Sequence, residues 1–263
     1  MKPRSQWPAR LSKAAGTLVS RDIAVVTNAI AFNFLLCLFP LLLVVAAASQ
    51  QLPGGRRAGT ALLLLLDELI PFGHEAMAPA LRNLNKMAKG LEIVSLGLIV
   101  WGSSGIFMPV EMALNRAWGG RPHRHFWRSR MLAVLMTLAG GLLALCSVAL
   151  TLAAREWGRE LPALARHGAK AVALFMSYVL FFLIYRFVPA VSVRTAVAAR
   201  AALWGGTSWE LAKYLFLIQI ARMNLEAFYG PLAFSVSLVL WAYVSSLALV
   251  FGALMAPTES TPS

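Results

Sequence analysis

Six apolar runs, each near the length needed to cross a bilayer, constrain this chain more than any other feature of its sequence. A hydrocarbon core about 30 Å thick calls for roughly 20 mostly apolar residues per spanning helix. That ruler places spans at residues 23–49, 91–114, 131–154, 171–188, 198–220 and 232–256. Composition agrees, because 59% of the residues are apolar, 13% are charged and the mean hydropathy is +0.69. Soluble domains carry about 45–50% apolar and about 25% charged residues, so this chain lacks the polar surface for a water-facing globule. Alternating strands of about ten residues are absent, which excludes a membrane β-barrel and leaves helices to satisfy the backbone.

The expected fold class is therefore all-α, a polytopic membrane bundle of six transmembrane helices with short interfacial or amphipathic helices between the first and second. Residues 1–22 form a basic arm, 23–256 the six-helix domain and 257–263 a short polar tail. The amphipathic insert covers about residues 56–89. Within it the apolar run Ala61–Leu66 is too short to span, and Met77, Ala80, Leu81, Leu84, Met87 and Ala88 recur at helical spacing opposite polar residues. Because 22 residues precede the first apolar run, and the run exceeds a signal peptide's h-region of about 7–15 residues, it reads as a span rather than a cleaved signal.

Lys and Arg set the orientation. Segments on the side of the N-terminus carry thirteen, and the opposite connections carry ten together with six acidic residues. The bias favours both termini in the cytoplasm. The same basic residues account for the formal charge of +13 without nucleic acid, since they lie in short segments between apolar runs. Arg121, Arg124, Arg128 and Arg130 are expected to touch anionic lipid head groups. His123 and His125 stand among these arginines without nearby Cys or acidic partners, so no metal site is expected. Cys37 and Cys146 lie in apolar runs and behave as small hydrophobes. No phosphate loop, dinucleotide fingerprint, HExxH or GxSxG occurs; no cofactor and no enzymatic activity is expected.

Ionisable groups inside spans are costly, about 2.5–3.5 kcal/mol each on insertion scales, and mark the places to look for function. Glu210 and Lys213 stand three apart on one helix face and can neutralise each other, whether as a functional pair or as a device that only eases insertion. They are expected to face the bundle interior, with Leu211, Leu215 and Phe216 turned to lipid. Glu111 precedes Asn115 by four and lies near Trp118, so carboxylate, amide and indole gather at the end of the second span. Glu92 suits a helix N-terminus. Asn28, Asn33 and Pro40 lie on the first span, where the proline frees the carbonyl of Leu36 and bends the helix, either to line a pathway or to pack. Asn28, Asn33, Pro40, Glu111, Asn115, Glu210 and Lys213 thus form the candidate polar site. Small-residue pairs such as Ala201/Gly205, Ala202/Gly206, Ala242/Ser246 and Ala248/Gly252 allow close helix approach.

Three segments together resemble one family. They are Ala29–Leu43, with its Leu38-Phe39-Pro40 run; Gly102–Gly105 followed by Glu111-Met-Ala-Leu-Asn-Arg-Ala-Trp-Gly119; and Tyr185-Arg-Phe-Val-Pro189 continued by Trp209-Glu-Leu-Ala-Lys213, Tyr229-Gly230 and Leu240-Trp241. Their order and spacing over residues 20–256 are similar to the YihY/BrkB family of bacterial inner-membrane proteins, once labelled ribonuclease BN. Phe32-Asn33 stands where that family usually has tyrosines, and Cys37 where it usually has serine, so roles of those hydroxyls do not carry over. The resemblance implies six spans in the bacterial inner membrane and a role in transport or envelope lipid traffic, with a lipid or small molecule as substrate. The alternative is a scaffold that recruits envelope proteins, with exposed apolar grooves but no continuous polar cavity. A ribonuclease would need clustered metal ligands, and the eleven acidic residues are too scattered to build them. No nucleic-acid partner is expected, and the oligomeric state is left open.

Overall fold

A computed structural model describes residues 7–18, 20, 22–36, 92–119, 127–137, 139–140, 142–143 and 162–256. All regular structure among them is helical. The helices are α1 (Trp7–Leu18), α2 (Asp22–Leu36), α3 (Glu92–Ala117), α4 (127–137), α5 (Pro162–Phe187), α6 (Thr195–Met223), the short α7 (Leu225–Tyr229) and α8 (Ala233–Met255). Pro40, Arg121, His123, Arg124, His125 and residues 56–89 and 257–263 lie outside the described residues.

Local chemistry explains the boundaries. The ring of Pro189 cannot continue α5, and the chain runs through a short connection before α6 begins. α6 ends at Asn224, whose backbone is left-handed (φ 41°, ψ 50°), a conformation that asparagine tolerates better than most residues. Gly119 closes α3 in the same region with φ 68°. Pro109 sits inside α3 and withdraws the hydrogen bond to the carbonyl of Gly105.

α8 is the one helix among the described residues long and apolar enough to cross a membrane by itself, with a mean hydropathy of 2.1 over its best window. Leu11–Leu18 and Asp22–Leu36, bent by 69°, meet that criterion only as a pair. Charge interrupts two of the other long helices: α5 carries Arg166, Lys170 and Arg186, and α6 carries Arg200, Glu210, Lys213 and Arg222. The arm before the first run, expected as a basic segment, contains helix α1. Trp7, Leu11, Ala14 and Leu18 recur at three and four residues on one stripe, and Ala14 is buried.

Five of these helices share one end. The guanidinium of Arg116, at the end of α3, donates to the carbonyl of Asp22 at the start of α2 (3.2 Å). Asn115 receives the backbone N–H of Ala190, just beyond α5, and Trp118 reaches the carbonyls that finish α8. α2 and α6 therefore begin where α3, α5 and α8 end. The packed core lies at this end as well, built from Ile23, Val26, Leu114, Trp118, Tyr185, Val188, Val197, Ala201, Val250 and Ala253 among others. α8 contacts α1, α3, α6 and α7, while α5 packs on α6.

Candidate functional site

Glu210 and Lys213 lie on α6 one turn apart, with Nζ 2.8 Å from Oε1. Their side chains are 18% and 17% exposed, so the pair is shielded without being sealed. Glu210 Oε1 is itself buried and has no aligned hydrogen bond, which makes the contact with Lys213 one of charge rather than of directed donation. The ammonium stands over the face of Trp209, 4.2 Å from the ring centroid, where the ring quadrupole attracts it. Trp209 is held from the other side, because its indole N–H donates to Ser245 of α8 (3.2 Å). Its ring also lies 6.0 Å from Phe181 of α5 and 6.1 Å from Trp241 of α8. An ion pair thus rests on an aromatic cluster contributed by three helices. Phe216 differs from expectation: rather than facing lipid with the exposed Leu211 and Leu215, it is buried 5.1 Å from Trp241. Trp241 is large and wholly buried, and its ring takes Phe216 of α6 as an aromatic partner.

A second polar group occupies the shared end of the helices. Asn115 is 1% exposed, and its Oδ1 accepts from Ala190 N (2.9 Å). The Ala190 N–H lies past the break that Pro189 imposes, and the amide oxygen satisfies it. Asn115 Nδ2 is buried without a hydrogen bond. Trp118 donates to both Ala253 O (3.1 Å) and Ala256 O (3.0 Å), tying α3 to the end of α8. Glu111 is half-buried one turn earlier, on the turn that holds buried Val110, Ala113 and Leu114.

The first span contributes less than its sequence suggests. Asn33 is half-buried, donates to Ala29 O (2.8 Å) and lays its Oδ1 over Gly105, where α2 and α3 approach. Asn28 is exposed, whereas its neighbour Thr27 is fully buried. The Thr27 carbonyl accepts from Ser246 of α8 (3.1 Å). Ser245 and Ser246 thus link α8 to α6 on one side and to α2 on the other. Among the described residues the candidate polar groups that are at least half-buried fall into three places, Glu210/Lys213, Asn115 with Glu111, and Asn33, while Asn28 stands apart as an exposed residue. Of the expected head-group arginines, Arg128 is exposed and Arg130 half-buried at the start of α4. No three His, Cys, Asp or Glu side chains gather among the described residues.

Sequence reasoning missed the partners that lie far along the chain. Ser245 is 36 residues from Trp209 and Ala190 is 75 from Asn115. A signal was available for the second, since a proline after an apolar run leaves an N–H to be satisfied.

Residues 14–261 match the family described as "Virulence factor BrkB". A UPF0761 membrane protein of Idiomarina loihiensis is 26% identical over 200 residues, covering 73% of this chain and 69% of that protein. A UPF0761 membrane protein of Legionella pneumophila strain Corby is 26% identical over 247 residues, or 89% of this chain and 58% of the relative. One from Ralstonia nicotianae is 31% identical over 191 residues, or 68% and 43%. This chain therefore spans 43% to 69% of the length of these three relatives. No solved structure matches it.

Proposed function

Because the chain belongs to the BrkB family of membrane proteins, we propose that it is a six-span protein of the bacterial inner membrane that transports or handles a lipid or small molecule of the cell envelope. It works without a cofactor, is not an enzyme, and keeps both termini in the cytoplasm. The observation that carries this reading is the Glu210–Lys213 pair on its aromatic support midway along α6. Charges at that depth are costly unless paired and are tolerated where they serve a pathway. Partial exposure leaves the pair reachable by a polar substrate group. The alternation of helix directions at the shared end supports six spans, because α2, α3, α5, α6 and α8 fit an up-and-down order if α4 supplies the missing crossing. Arg116, Arg186, Arg194 and Arg200 fall at that same end, as the positive-inside rule asks of a cytoplasmic face.

The scaffold reading draws on a different observation, the separation of the polar groups into three places rather than one cavity. One experiment divides the two. The charge-swapped variant Glu210→Lys/Lys213→Glu keeps the local pair and should insert at the wild-type level. Under the transport reading it fails to complement a deletion strain for envelope integrity, because each charge also answers to groups of the substrate or of other helices. Full complementation by the swapped protein favours the scaffold.

A further inference from the structure

Between α5 and α6 runs an open apolar groove of about 260 Å³, lined by Tyr178, Val179 and Phe182 on one helix and Ala199, Ala202 and Leu203 on the other. α6 is small where it faces α5, and Leu203, 59% exposed, leaves the groove open to the outside. At its inner foot the hydroxyls of Tyr178 and Thr207 share one hydrogen bond at 2.9 Å. The outer mouth is cationic. Arg200 is exposed beside Ala199, and Arg186 follows Phe182 by four residues, one turn nearer the basic end on the same face. Arg200 uses its Nε on Ala196 O of its own helix (3.3 Å), and the Arg186 guanidinium lies 5.7 Å from the Phe187 ring centroid. Among the described residues neither guanidinium has a carboxylate partner.

We propose that this groove seats one acyl chain of an anionic glycerophospholipid whose phosphate is held by Arg186 and Arg200. The inference rests on the reading that the chain spans a bilayer with this end at the cytoplasmic interface. Size and shape favour a chain segment over a whole ligand, since sites for drug-sized molecules run to about 300–1,000 Å³. From Arg200 to Thr207 is about 10 Å along the helix, within the roughly 15 Å depth of one hydrocarbon leaflet. The head group then lies at the interface while the chain descends. Charge selects the lipid, because a zwitterionic head group brings a quaternary ammonium beside its phosphate that opposes the two arginines, whereas an anionic one does not. Leu203 and Phe182 provide the apolar walls, and the hydroxyl pair marks the foot.

The test uses the full-length protein in nanodiscs of phosphatidylcholine, with or without a minor fraction of phosphatidylglycerol. Each lipid carries a photoreactive group in one acyl chain, and labelled residues are mapped by mass spectrometry. Phosphatidylglycerol should label Val179, Phe182 and Leu203 in preference to phosphatidylcholine by roughly tenfold, a preference that falls as salt is raised. Arg186→Gln/Arg200→Gln should abolish the preference, and Leu203→Trp should block labelling by both lipids, while Leu211→Trp on another part of α6 changes neither. Equal labelling of the wild-type groove by the two lipids overturns the proposal, and this comparison needs no variant to fold. Leu203→Cys forming a disulfide-linked dimer in place of lipid labelling would assign the groove to a second copy of the chain and also overturn it. The charge-swapped Glu210/Lys213 protein should retain the lipid preference. Loss of complementation with retained labelling, or the reverse, therefore separates failure of one reading from failure of the other.

Discussion

The Tyr185 hydroxyl occupies the space that a side chain on Gly205 would fill, and from there it donates to the Leu249 carbonyl at 2.7 Å. Gly252 closes the arrangement from α8, for a Cβ there would meet the same hydroxyl and stand 2.6 Å from Gly205 Cα. α5, α6 and α8 are thus locked at one point by two glycines and a phenol. Tyr185 is fully buried, with Phe181 and Trp118 rings 5.9 and 6.0 Å away. Lipid tails are as apolar as leucine, so helices in a bilayer gain little from apolar contact alone; close backbone approach and interhelical hydrogen bonds carry more of the association.

The lock predicts an ordered set of costs. Tyr185→Phe removes one hydrogen bond, about 1 kcal/mol. Gly205→Ala overpacks against Tyr185 and Phe181 side chains, an expected loss of about 1–3 kcal/mol. Gly252→Ala should cost more, because the obstacle includes the Gly205 backbone, which cannot rotate away. Tyr185→Phe should partly rescue Gly205→Ala and leave Gly252→Ala unrescued. Thermal unfolding in detergent of the three single and two double variants reads the order; equal costs for the two glycines would refute the geometry.

Topology gives the second prediction. The hydrogen bonds of Arg116 to Asp22, and of Trp118 to Ala253 and Ala256, put the start of α2 and the end of α8 on one side. Reporter fusions at the two termini should report the same compartment, the cytoplasm. A periplasmic signal from one terminus alone would contradict the shared end, and periplasmic signals from both would contradict the orientation.

The helical class and the extents of α3, α6 and α8 were readable from apolar run length, because a lipid-exposed backbone permits little besides helix. The small-residue spacings were readable too: Ala201, Ala202, Gly205 and Gly206 are buried on α6, as are Ala248 and Gly252 on α8. What the runs could not disclose is rotation. Thr27 and Asn28 are adjacent polar residues, and only packing against Ser246 decides that the first turns inward and the second outward. Phe216 faces inward rather than to lipid for the same reason: the stretch Tyr214–Ile218 is apolar on every side, so it carries no periodic mark of its buried face. Helix α1 escaped notice because its stripe is only four residues long and basic residues interrupt it.

Glu111 and Asn115 should separate in their effects. Asn115→Leu orphans the half-buried Ala190 N–H, so it should destabilise by about 1 kcal/mol. Glu111→Gln keeps size and hydrogen-bonding capacity at a half-buried position, so it should insert and fold normally while impairing complementation. Wild-type function of Glu111→Gln would remove Glu111 from the candidate site. Unchanged unfolding of Asn115→Leu would mean that the tie to the α5–α6 connection adds nothing.

Trp209 bridges the charged pair and α8, and a double-mutant cycle can isolate that bridge. Trp209→Phe keeps an aromatic face for the Lys213 ammonium but loses the indole donor, whereas Ser245→Ala loses the acceptor and leaves the ring in place. If the 3.2 Å hydrogen bond holds α6 to α8, the two losses overlap, and the double variant should be only slightly less stable than either single one. Coupling energies for such bonds between membrane helices average about 0.6 kcal/mol and reach about 1.7 kcal/mol. A value in that range, measured by unfolding in detergent micelles, is the expected outcome. Strict additivity would mean that the indole and the hydroxyl are neighbours without interaction. The aromatic support beneath Glu210 and Lys213 would then depend on the ring contacts with Phe181 and Trp241 alone. Trp209→Leu, which deletes those contacts and the cation–π face together, should in either case cost more than Trp209→Phe, because it also withdraws the surface on which Lys213 rests.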